Sequence, residues 1–208
     1  MTAPRRRRTA DVARQEILEA AERRLAQSGP QGLRLQDVAA DVGISHPAVL
    51  HHFGSREALV HAVIERAIVK LQEDLVRSLA ETPQGDKPDT AALFERVYET
   101  LSDRGYGRLM AWLLLHGYDP FNETARQNWA RIGEIAHGVR TKRFKGKRKP
   151  TYEDTMFGIV VSALSLFALS IAGEATLRVA GFGEDPDCQK RFRQWLSALM
   201  AKHMDEGM

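Results

Sequence analysis

The segment from Leu35 to Phe53 constrains the fold more tightly than any other. Leu35, Val38, Ala39 and Val42 recur at i, i+3, i+4 and i+7, one face of a short helix, and Gly43 follows at once as the place for a sharp turn. Ser45 then offers a cap, Pro47 fits a first helical turn, and Val49, Leu50 and Phe53 supply a second apolar face before Gly54 closes it. Ala39 is small where the two helices cross, Ile44 tucks inward, and Val49 with Phe53 pins the second helix on the first. What stays outside is Ser45, His46, Pro47, Ala48, His51 and His52, short groups able to meet base edges and phosphates. Helix, tight turn and short helix is the arrangement that lets the second helix enter a DNA major groove, although ordinary three-helix packing uses the same hydrophobic spacing.

The rest of the chain also reads as helix. Upstream, Ile17, Ala21 and Leu25 recur every four residues beside Ala20, giving a helix over 11–27 that Ser28-Gly-Pro-Gln-Gly32 is expected to stop, with Gly29 as a left-handed cap. Ser55 caps a longer helix running from Arg56 to about residue 81, with Glu57 complementing its dipole. Residues 82–90 have loop composition, and further helices are predicted over 90–103, 107–118, 122–143, 152–180 and 185–204. No segment alternates apolar and polar residues between hairpin signals, so the expected class is all-α.

Charge and cysteine usage narrow the setting. The 208 residues carry a net charge of +3, with 43% hydrophobic and 27% charged residues, which suits a globular protein of one core or two unequal parts. The single cysteine, Cys188, excludes an internal disulfide and a thiolate zinc cluster. Charged helix, not an apolar stretch, follows the basic N-terminus, so a secretory signal is not expected and the cytoplasm is the expected location. The positive charge is concentrated in Arg5 to Arg8 and in the run from Arg140 to Lys149, where seven of ten residues are Lys or Arg. Either run reads as a solvated tail or loop, or as a surface for anions.

Residues 155–173 contain no charged side chain and are long enough to span a bilayer. Ser, Thr and Gly dilute the apolar residues, Asp154 and Glu174 abut both ends, and the next helix is amphipathic around Trp195, which argues against a membrane span. A soluble helix apolar on nearly all sides has to be covered on all sides. Gly158, Ser162, Ala163 and Ala172 allow close approach, and a second copy of the chain is the economical cover, giving an expected homodimer through helices 152–180 and 185–204.

The segment from about Asp11 to Ala67 resembles the DNA-binding domain of the TetR family of bacterial transcriptional repressors. The likeness is carried by Gly43-Ile-Ser-His-Pro-Ala-Val-Leu-His-His-Phe-Gly-Ser-Arg-Glu-Ala-Leu59, by Ile17-Leu-Glu-Ala-Ala, by the Gly29-x-x-Gly32-Leu break and by Asp37-Val-Ala-x-x-x-Gly43. It implies that Ser45, His46, Ala48, His51 and His52 lie in or beside the groove, next to Pro47, and that Arg56 contacts a phosphate. Leu50 stands where the family often has Tyr, which removes one phosphate contact. Leu33-Arg34 stands where a Thr often opens the second helix, and Arg34 or Gln36 is the candidate substitute. The rest of the chain is similar to the family only in length, helicity and two last helices suited to dimerisation, and that part of such proteins usually binds a small molecule.

The expected organisation is therefore a basic arm over 1–9, a helix-turn-helix DNA-binding domain over 10–57 and a larger helical ligand-binding and dimerisation domain over 58–208. Arg5 to Arg8 are candidates for the minor groove. Aromatic and Met residues of the larger domain can line an apolar pocket, with Trp112, His116 and Trp129 the candidate contacts to an unknown small-molecule effector. No metal or cofactor is expected: His51 and His52 are adjacent, and His46 to His51 is i+5, whereas two zinc ligands on one helix favour i, i+4. There is no Walker loop, dinucleotide fingerprint, Gly-x-Ser-x-Gly or His-Glu-x-x-His, so an enzyme is not expected. The leading expectation is a homodimeric repressor released from a palindromic operator by its effector. The alternatives are a helical interaction protein, or a small-molecule-binding enzyme, without DNA activity.

Overall fold

Thr9 accepts a hydrogen bond from the amide of Val12 and starts α1, Ala10–Gly32, whose Ile17, Ala20, Ala21 and Leu25 are fully or almost fully buried. The computed structural model describes residues 9–82, 86, 88–144, 149–183 and 185–206, with the side chains of 26–31 and 206 excepted. Arg5 to Arg8 and part of the run from Arg140 to Lys149 lie outside those residues. The helix does not stop at Ser28 as expected. It continues past Gly29 and Pro30 to Gly32, and the break comes at Leu33, which turns extended and sinks its side chain into the core at 1% exposure. Pro30 leaves that last turn one backbone donor short.

Next come α2, Leu35–Val42, α3, His46–Phe53, and α4, Arg56–Ala80. Gly43 adopts φ 70° and ψ 37°, the left-handed conformation that lets two helices meet through so few residues. Ser45 and Ser55 cap α3 and α4 through their hydroxyl oxygens, at 3.3 and 3.0 Å from the amides of Ala48 and Ala58. The remaining helices are α5, Thr90–Tyr98, α6, Tyr106–Leu115, α7, Glu123–Arg143, α8, Tyr152–Leu177, and α9, Cys188–Glu206. Wider π-type turns extend α5 over Glu99–Asp103 and α8 over Arg178–Phe182. Among the described residues there is no strand, and the all-α class stands.

One apolar core unites α1 to α4 and reaches past them to Tyr106, Leu109 and Leu113 of α6 and Ala125 of α7. A second core joins Phe94, Tyr98 and Leu101 to Leu166 and Leu169 of α8 and Leu196 of α9. The expected boundary at residue 57 falls within the first turn of α4, so a single continuous helix belongs to both parts. Polar contacts tie the same joint. Arg66 of α4 and the Tyr106 hydroxyl both donate to Glu22 of α1, and His61 of α4 lies 2.6 Å from the carbonyl of Asp119 beyond α6.

Candidate nucleic-acid interface and apolar cavity

The face of α3 follows from its caps and its buried residue. Val49 is fully buried and Phe53 packs on the core, which turns Ser45, Pro47 and His51 outward and leaves His46, Ala48 and His52 half-buried beside them. The imidazoles of His51 and His52 meet edge to face with centroids 5.8 Å apart. Leu50, at 36% exposure, adds an apolar group at the margin. Arg34 and Gln36 are exposed at the start of α2, where Arg34 supplies no side-chain cap. Arg56 is half-buried at the start of α4, with its Nε 3.1 Å from Glu57 and its guanidinium 5.7 Å from the Trp112 ring.

Acidic groups near this face are neutralised from behind. Arg24 of α1 reaches Asp41 at 2.6 Å and Asp37 at 3.5 Å, and its hydrogen bond holds the Asp41 carboxyl below the usual carboxylate range. Arg14, exposed on α1, lies 4.8 Å above the Phe53 ring at the end of α3. Sequence reading missed both arginines. Arg24 sits 17 residues from Asp41, and no local spacing signals that pairing.

The second feature is a cavity of about 450 Å³ lined by α4, α5, α6, α7 and α8 and the last turns of α9. Its walls are almost wholly apolar, from Leu71 and Leu75 of α4 to Phe94 of α5 and Phe167 of α8. Of the three candidate contacts, Trp129 lines it. Trp112 and His116 do not: Trp112 faces the joint under Arg56, and His116 is exposed, with its ring 4.5 Å from Trp112 and its Nδ1 2.7 Å from that residue's carbonyl. Two polar residues that sequence reading passed over stand in the wall. Gln72 is buried on α4, and its Oε1 has no hydrogen-bond partner. Arg140, which opens the basic run, is also buried, against Asp154 at 2.5 Å.

The outer side of α8 carries a different surface. Phe157, Val161, Leu164 and Ile171 are exposed at i, i+4, i+7 and i+14, with Trp195 and Leu199 exposed on the adjacent α9. Residues Tyr152–Phe182 are long and apolar enough to cross a membrane, with mean hydropathy 2.1 over an 18-residue stretch, but α8 packs against α5, α6, α7 and α9 in one helical bundle.

Residues 17–63 match the family model for bacterial regulatory proteins of the tetR family. The chain is 32% identical over 126 residues to the HTH-type transcriptional repressor Rv3405c of Mycobacterium tuberculosis, covering 61% of this chain and 58% of that relative. Among solved structures it is similar to a protein of unknown function from Rhodococcus sp. RHA1, with TM-score 0.62, 22% identity and coverage of 98% and 100%. It is also similar to a TetR variant from Acinetobacter baumannii AYE in complex with minocycline, with TM-score 0.60, 16% identity and coverage of 90% and 93%. At these identities the solved structures establish the fold, while the sequence matches place the TetR-family likeness in the helix-turn-helix segment, residues 17–63, of this chain.

Proposed function

We propose that the protein is a cytoplasmic homodimeric transcriptional repressor that reads a palindromic operator with α3 and leaves it when a small molecule occupies the cavity. The observation that carries the reading is the outward face of α3, held by Ser45 and Val49 and backed by arginines that neutralise the acids of α2. In this reading Ser45, His46, Pro47, Ala48, His51 and His52 meet the groove, Arg34 and Gln36 reach its edge, and Arg56 meets a phosphate. Residues 10–57 form the reading head and 58–208 the ligand-binding and dimerisation part. Two copies join through helices 152–180 and 185–204, whose exposed apolar stripe calls for a cover.

Release requires a ligand that prefers a conformation whose two heads no longer fit the operator, because a ligand binding both states equally shifts nothing. Helix α4 is suited to the lever's role, since it begins beside α3 and lines the cavity further along. The minocycline bound by the Acinetobacter relative supports a small-molecule effector for this fold.

A gel shift with the DNA upstream of the protein's own gene tests the reading. Binding should be lost on replacing His51 and His52 together with Ala, and Arg56→Ala should weaken it on all sequences and reduce the salt slope by about 1. Indifference to duplex DNA at every ionic strength overturns the proposal.

A further inference from the structure

We propose that the cavity takes an uncharged, largely apolar molecule bearing one hydroxyl or N–H group, which donates to Oε1 of Gln72. The proposal rests on the reading of the cavity as an effector site and names the chemistry of what fills it. Its volume of about 450 Å³ lies within the range of about 300–1,000 Å³ that holds small-molecule ligands. Gln72 is 4% exposed, lines the cavity from α4, and is flanked one turn away on either side by Ile68 and Val76. Buried amide oxygens are ordinarily hydrogen-bonded, and this one has no partner. An unmet acceptor in an apolar wall is a fixed demand for a donor.

Arg140 and Ser162 of the wall are committed to partners of their own. The Arg140 guanidinium donates to Asp154 at 2.5 Å, to Thr155 Oγ1 at 3.2 Å, and to the carbonyls of Met204 and His203 at 3.1 and 3.3 Å. Its charge is balanced by Asp154. The Ser162 hydroxyl donates to the carbonyl of Gly158 at 2.8 Å within α8. The remaining charged lining residues, Arg143 and Asp205, have opposite signs and stand near the C-terminal ends of α7 and α9. An anionic ligand would therefore enter an apolar space with no net positive charge to meet it, which is costly.

The test is isothermal titration of the full-length protein near pH 7 with three probes of one shape: 4-phenylphenol, 4-methoxybiphenyl and biphenyl-4-carboxylate. The phenol should bind about tenfold more tightly than its methyl ether, and the carboxylate more weakly than either. In a Gln72→Met variant, shown to be folded by circular dichroism, the advantage of the phenol over the ether should fall below about threefold. The wild-type comparison decides the matter if that variant does not fold. Equal binding of phenol and ether, or tightest binding of the carboxylate, overturns the proposed chemistry and leaves the site standing. Binding of none of the three overturns the site as well.

Discussion

Glu22 receives two donors from two other helices, Arg66 of α4 and the Tyr106 hydroxyl of α6. Burial, and then the hydrogen bond to Glu22, push the Tyr106 phenol above its ordinary value of about 10. Because the folded value is the higher one, the contribution of this group is complete below about pH 10. It is lost as the pH rises further, where the unfolded chain releases the phenolic proton and the folded chain keeps it. Tyr106→Phe removes the titration and the bond together. We expect a loss of about 1 kcal/mol in urea unfolding at neutral pH, at the modest end for a hydrogen bond to a charged group because Arg66 still holds Glu22. We also expect a shallower decline in stability above pH 10 than in the wild type. A variant that loses stability with base as steeply as the parent does would mean that Tyr106 is not the titrating group. The trio was illegible in the sequence: Glu22 lies 44 and 84 residues from its donors, and nothing local marks it. The outward facing of Ser45, Pro47 and His51 was legible because one buried valine and a helical period determine it, whereas Leu50, expected on the buried face, is exposed.

At the scale of elements, the joint between α2 and α3 depends on one backbone conformation. Gly43 has φ 70°, and a Cβ built there would meet nothing within 4 Å, so the cost of a side chain is conformational and not steric crowding. Gly43→Ala should destabilise the protein by about 1 kcal/mol, and Gly43→Asn by less, since asparagine tolerates the left-handed region better. Thermal melts of both variants check the order, and an alanine variant as stable as the wild type would contradict it. Most elements could be read in advance for the same local reasons. Ser45, Ser55 and Asn122 each cap the helix expected after them, and apolar periodicity carries each helix onward. Helix α6 stops at Leu115, short of the expected residue 118, where Gly117 takes φ 78° close by, and two other ends that differ follow distant packing. Helix α1 runs on until Leu33 finds the core, and α9 begins at Cys188, which is buried, rather than at Asp185. The cavity was legible only in kind. Trp129 faces it, but Trp112 lies on the side of α6 under Arg56 of α4 and His116, just past the end of α6, is exposed, and which side of α6 faces which neighbour is decided by contacts far along the chain.

For the whole molecule, the deciding surface is the apolar stripe of α8 and α9. Phe157 and Leu164 are each 60% exposed and Trp195 is 57% exposed, on helices whose opposite sides already bury Leu166, Leu169 and Leu196. Exposed apolar side chains aligned along one helix and continued on its neighbour form a contiguous patch, which marks an association surface. Covering it with a second copy also places two α3 helices on one assembly, as a palindromic site requires. Phe157→Glu changes a residue that is not part of the single chain's core, so the fold should persist, with a melting midpoint within a few degrees at the protein concentration where both proteins are monomeric. The charge would, however, be buried without a partner in the dimer, which is strongly unfavourable. Sedimentation should show the wild type as a dimer at micromolar concentration and the variant as a monomer. Operator affinity should fall by at least about a hundredfold, because each head must then bind alone. A variant that remains dimeric with full operator affinity would remove Phe157 from the interface, and the same result for Trp195→Glu would remove the α8–α9 face altogether.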